Sequence, residues 1–233
     1  MNNYSNIGHI FSKKNVDLYA SIHSKDEIPN IKEFLENKNY EKIFSESMKN
    51  IPSMPDMEFA LKYAKENNKE IVHIGYDFLD LLKKLAKNSP TEAVIYSCQK
   101  GIGEIIESNP NIKKFALEQN LNNLLVNSVD KLVEPGKKMK IYQETEKYFD
   151  NNLDYLSSLN KKILKREKID DISPKDNTLE DKLIAFGNKW VQKSDEIIWE
   201  KINKNLDKKS SAIIVGFLHG PCIKKKLSER LKS

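Results

Sequence analysis

Hydrophobic positions fall into two kinds of run along this chain. Short apolar stretches of strand length occupy residues 17–23 (DLYASIH), 41–46 (EKIFSE), 70–76 (EIVHIGY), 93–98 (AVIYSC) and 211–218 (SAIIVGFL). Most are followed by a segment of helical periodicity, a pattern that predicts βα units and a mainly parallel sheet. From about 104 to 207 helical spacing takes over, clearest in FALEQNLNNLLVNSVDKL and KIYQETEKYFDNNLDYLSSLNKKILK, with breaks at 134–136 (EPG) and 170–177 (DDISPKDN). The expected fold class is therefore α/β (or α+β): a mainly parallel central sheet flanked by helices, with a large helical insertion at 104–207 before the last strand. All of it belongs to one domain over 1–233. A wholly helical C-terminal half is the alternative, but AIIVGFL has the length and content of a buried strand.

Several helix starts are signalled locally. Ser24 and Glu27 have the spacing of a capping box. Asp56 can cap MEFALKYAKENN, whose Phe59, Ala60, Tyr63 and Ala64 share a face, and Asp77 can cap FLDLLKKLAK. Gly220 is a tolerable N-cap before Pro221, a residue favoured at the first helical position.

At 233 residues the chain can bury one well-formed core. Its net charge of +5, from 39 Lys+Arg against 34 Asp+Glu, is spread with both signs interspersed. A nucleic-acid binder concentrates its basic residues into a stripe, so no nucleic-acid partner is expected. The densest cluster, Lys224, Lys225, Lys226, Arg230 and Lys232, reads as a solvated helix face suited to a helix C-terminus. Cys98 and Cys222 are too few and too far apart for a disulfide framework or a cysteine zinc site, which favours reduced thiols and a cytoplasmic location. The start, MNNYSNIGHIFSKKN, lacks the apolar core of a signal peptide, and no stretch reaches the roughly 18 apolar residues of a membrane span.

In open parallel sheets ligands bind beyond the carboxyl ends of the strands. The polar residues at those ends are His23, Glu46, Asp77 and His219. Two imidazoles and two carboxylates along one edge are what a divalent metal site needs. Both histidines immediately precede a predicted helix, whose positive end favours neutral imidazole, the form that ligates metals. Ala20 and Ser21 before one, and Gly216 before the other, leave room for close approach to the backbone. Taken singly, each histidine is an ordinary polar cap of a strand, Glu46 a solvated strand end and Asp77 a helix cap; the combination of His23, Glu46 and His219 carries the signal. The Gly-rich GIGEII at 101–106 lacks the third glycine and the ribose-binding acid of a dinucleotide loop. His73 reads as packed or hydrogen-bonded within a strand, and His9 has no assigned element. Trp190 and Trp199 lie on one helical stretch, as core residues or as anchors that a homodimer could use.

The order ASIH, then FSE, then PDMEFALKYAKENNKEIVHIGYD, then GFLHGPCIKKKLSERL resembles the TraB/PrgY, GumN and Tiki group within the erythromycin-esterase/ChaN-like superfamily. The resemblance covers 17–97 and 210–231. Members carry a Gly-x-x-His near the start, a glutamate about two dozen residues later, a Gly-Asp-Arg-like motif after a helix and strand, and a second Gly-x-x-His near the end. Those positions fall on His23, Glu46 and His219, with GYD at 75–77 where Gly-Asp-Arg often stands. This chain departs from the pattern: Ala20 replaces the first glycine, the arginine is missing from the central motif, and none follows the glutamate in SESMKNIP. Many relatives also have membrane segments. The resemblance implies a metal-dependent hydrolase that cleaves a peptide or small amide with manganese, cobalt or zinc. His23, Glu46 and His219 would be the ligands, or Glu46 the general base. Ser21, Asp77 and Gly216 would orient a ligand imidazole or contact substrate. A non-catalytic, peptide-binding protein of the pheromone-shutdown kind is the alternative, and a helical interaction module with a vestigial sheet is a third reading.

Overall fold

The structure, a computed structural model, describes residues 7–47, 54–164 and 180–232. The polar break at 170–177 lies outside the described residues. The chain divides into two compact units, 1–77 with 191–233, and 78–190.

The first unit is built on a five-stranded sheet in the order β1-β2-β5-β3-β4, with β1 Gly8–Lys13, β2 Val16–Ser21, β3 Lys42–Ser45, β4 Glu70–His73 and β5 Ser211–Gly216. Only β1 runs antiparallel, hairpinned onto β2; the other four are mutually parallel. β5, the last strand in sequence, sits at the centre between β2 and β3, and all six of its residues are buried. That position explains its unbroken apolar run, because a central parallel strand is covered on both faces.

Alternation along the strands assigns the two faces. Tyr19, Ile43, Ala212 and Ile214 pack against α1 (Ile28–Glu36) and α2 (Pro55–Glu66) through Ile31, Phe34, Leu35, Met57, Ala60 and Ala64. Their neighbours Leu18, Phe44, Ile213 and Val215 face the other way, onto Ile198 and Ile202 of a long helix and Ile223 and Leu227 of the C-terminal helix.

The second unit is helical: α3 (Phe78–Ala86), α4 (Pro90–Ser108), α5 (Lys114–Leu132), α6 (Lys138–Leu164) and the first part of α7 (Glu180–Asn205). Val94, Ile95, Cys98, Ile102 and Ile106 of α4 meet Leu117, Leu121, Leu125 and Val129 of α5 and Tyr148, Phe149 and Leu153 of α6. After β5, α8 (Gly220–Arg230) ends the chain in the first unit. Among the described residues no helix is long and apolar enough to cross a membrane.

Three sequence expectations change here. Residues 93–98 are not a strand but part of α4, where GIGEII lies mid-helix. The run AVIYSC is too short for its period to decide, and the spacing Ile95, Cys98, Ile102, Ile106 that settles it needs the following residues. Gly101 serves packing: a Cβ there would lie 2.6 Å from a Leu124 methyl. The Ser24 capping box does not form; a 3-10 turn, Lys25–Glu27, precedes α1, and Glu27 is drawn into the core by a 2.7 Å hydrogen bond from the Tyr19 hydroxyl. α8 has His219 rather than Gly220 at its N-cap position. The strand β1, containing His9, carried too mixed a pattern to be placed. Trp190 is buried among Phe78, Tyr96 and Phe186, and Trp199 is partly buried against the core of the first unit.

Candidate functional site

The carboxyl ends of β2, β5 and β3 are adjacent, and Ser21 is in register with Gly216, Ser45 with Ile214. The chain positions just beyond these ends place His23, Glu46 and His219 together. Glu46 continues the ladder by one bond, its N–H donating to Ile214 O at 3.0 Å. Its side chain then turns across β5: Oε2 accepts the Gly216 N–H at 2.6 Å and lies 3.8 Å from His23 Nε2, while Oε1 lies 3.4 Å from His219 Nε2. One carboxylate thus faces both rings.

Each ring is held from behind. His23 Nδ1 is 3.2 Å from Asp56 Oδ2, and His219 Nδ1 is 2.8 Å from Asp195 Oδ1. Asp56 was expected to cap α2. Instead Met54 occupies the N-cap position, and Asp56, in the first turn and fully buried, also accepts the Ser21 hydroxyl at 2.5 Å. Ser21 Oγ in turn accepts the His23 N–H at 3.1 Å, which fixes a backbone with φ of 59°, a left-handed conformation that histidine adopts more readily than most residues. Ser21 therefore acts on Asp56 and on the backbone of His23. Asp195 comes from α7, where it shares a buried stripe with Ser194, Ile198 and Ile202. It also receives the Cys222 thiol, whose pKa is pushed up to about 11 by burial and by the negative charge of Asp195.

Gly216 has a steric role. A Cβ there would stand 2.6 Å from His23 Nε2 and 3.3 Å from Glu46 Oε2, so the space of its missing side chain is where the ring sits. Gly75, in the GYD segment, is equally constrained: a Cβ would meet the Ser47 backbone at 2.8 Å, and its N–H donates to Ser47 O at 3.0 Å. Tyr76 presents an edge-on ring to His219, with centroids 6.0 Å apart. The partly buried Lys201 ammonium donates to Gly75 O, and burial lowers its pKa. Asp77 is exposed immediately before α3. His73, at the end of β4, is bonded to Ser47 Oγ at 2.9 Å.

Sequence reasoning missed Asp195 and misjudged Asp56. A signal existed for the first: an acid on the apolar stripe of an otherwise well-patterned helix. Among the described residues no lysine or arginine ion-pairs with Glu46, Asp56 or Asp195. The donor chemistry fits a divalent ion, since two imidazoles face a carboxylate and each is backed by a second acid. Each Nε2 to Glu46 separation is also close to the edge of about 3.4 Å between ligands that share a tetrahedral ion. The three side chains are not closed around a common point, however; among the described residues no group of three His, Cys, Asp or Glu is disposed to hold a metal ion.

No family model, no curated protein and no solved structure matches this chain.

Proposed function

We propose that this protein is a metal-assisted hydrolase of a peptide or related small amide, of the TraB/Tiki kind that its sequence resembles. One observation carries the reading: His23 Nε2 and His219 Nε2 face the two oxygens of Glu46 beyond the carboxyl ends of three parallel strands. Ligands bind at that edge of an open α/β sheet. The electrostatics support a cationic occupant. With the acids ionised, three carboxylates surround two imidazoles without a basic side chain in contact. A ring lone pair facing a carboxylate oxygen is also repulsive unless a proton or a cation lies between them.

His23, Glu46 and His219 would hold the manganese, cobalt or zinc ion, which when bound supplies the charge that polarises a scissile carbonyl and acidifies a water. Glu46 has a further duty. Its Oε2 is engaged by the Gly216 N–H, so Oε1 takes the proton from the attacking water and passes it to the leaving amide nitrogen as the C–N bond breaks. Gly216 and the edge of Tyr76 shape the space beside the rings, and the half-exposed Leu218 offers an apolar surface to a substrate side chain. The two free thiols, Cys98 and Cys222, suit a cytoplasmic setting.

Calorimetric titration with Mn2+, Co2+ and Zn2+ tests the reading, followed by mass spectrometry of a peptide mixture incubated with the loaded protein. One site is expected, weakened at least about 10-fold in folded His23→Ala and His219→Ala variants, together with cleaved peptides. Indifference to all three ions with peptide bound but uncut would establish the sequestering alternative instead.

A further inference from the structure

Both rings turn the same nitrogen toward an acid that can only accept a hydrogen bond. His23 presents Nδ1 to Asp56, His219 presents Nδ1 to Asp195, and in both the Nε2 atom is left toward Glu46. The two acids come from unrelated elements, the first turn of α2 and the middle of α7. We infer that Asp56 and Asp195 are positioning residues, each holding its histidine as the Nδ1–H tautomer so that both Nε2 lone pairs are aimed at the face of Glu46.

A purely structural role does not account for an acid at either place. Asp56 is fully buried, and its Oδ1 has no hydrogen-bond partner. A buried carboxylate with an unsatisfied oxygen is destabilising, and a smaller polar or apolar residue would serve the packing better. What a carboxylate adds is directionality: it accepts from Nδ1–H and cannot donate to Nδ1, so it excludes the other neutral tautomer. The surroundings hold each acid for that task. Ser21 donates to Asp56 Oδ2, the oxygen that faces the ring, and Cys222 donates to Asp195. The bearing of this device on catalysis rests on the hydrolase reading above, while the tautomers themselves can be read without turnover.

The test is a long-range proton–nitrogen correlation spectrum of the metal-free, 15N-histidine-labelled full chain, recorded at a pH where the ring signals no longer move. Four histidines give four ring systems, assigned by single substitution. His23 and His219 are expected to show a protonated Nδ1 and an unprotonated Nε2. In Asp56→Ala and Asp195→Ala the acceptor left to the affected ring is Glu46 on its Nε2 side, so the proton should move to Nε2 in that ring alone. Where these variants fold by circular dichroism, ion affinity should also fall about 10- to 100-fold. Wild-type rings in the Nε2–H form, or alanine variants with unchanged ring signals, would overturn the inference. If an alanine variant does not fold, the wild-type spectrum decides alone. Rings in the expected form on a protein that binds no metal and cuts no peptide would remove the hydrolase reading and leave this one standing.

Discussion

Replacing Gly216 by alanine would put a methyl carbon 2.6 Å from His23 Nε2, 3.2 Å from its Cδ2 and 3.3 Å from Glu46 Oε2. Gly216 does not lie at positive φ, so alanine brings no backbone strain and the whole effect comes from the collision. To reach ordinary contact the ring nitrogen must withdraw by about 0.8 Å, while its Nδ1 is tied to Asp56 and its backbone to Ser21. Overpacking of this kind costs about 1–3 kcal/mol. Urea unfolding of the wild type, Gly216→Ala, His23→Ala and the double variant isolates the cause. With the imidazole gone, only the 3.3 Å contact to Glu46 remains, which a few tenths of an ångström relieves. The glycine substitution should then be worth no more than about 0.5 kcal/mol, the range of ordinary tolerated changes, and the coupling between the two sites should exceed about 1 kcal/mol. An equal cost of Gly216→Ala in both backgrounds would refute the claim that the glycine exists to seat the His23 ring.

Gly75→Ala should be more damaging, at about 3 kcal/mol in the same assay, because its Cβ would collide with the Ser47 backbone rather than with a side chain. A second measurement concerns thiol reactivity. Cys222 is pushed up to about 11 by burial and Asp195, and Cys98 up to about 12 by burial. Iodoacetamide at pH 8 should therefore label Cys222 on the order of 100-fold more slowly than an ordinary thiol of pKa about 8.5, with a clear acceleration in Asp195→Asn. Acid stability has a definite sign at Asp17. Burial raises its pKa, but hydrogen bonds from Lys38, Ser12 and Tyr40 together outweigh burial and hold it below the usual value. Its contribution is complete above the unfolded pKa of about 3.9 and is lost as pH falls through the lower folded value. Over that acid range the unfolding free energy of the wild type should drop more steeply than that of Asp17→Asn, and parallel pH profiles would contradict this.

Some of this architecture can be read from order and period alone. The βα grammar predicts a mainly parallel sheet, and the strand ends of DLYASIH, EKIFSE and SAIIVGFL locate His23, Glu46 and His219 to within a residue or two of where they stand. Both are local properties: a strand buries alternate or all residues, and the first polar residue after it lies at the sheet edge. What the three share could not be read in this way. Glu46 reaches the Gly216 N–H across 170 positions of sequence, and it does so because the last strand inserts between two of the first three, an order that apolar content does not encode. The same holds for the acids behind the rings. Asp56 has the spacing of a helix cap, and Asp195 is one acid among many on a long helix. Only the packing of α2 and α7 on opposite faces of the sheet turns them toward Nδ1. The sequence by itself determined the layers, the direction of the strands and which residues stand at their ends, since these follow from local burial. The tertiary structure decided that 93–98 is helical, that Glu27 leaves its capping box for Tyr19, and which side chains meet, because each outcome depends on a partner far away in the chain.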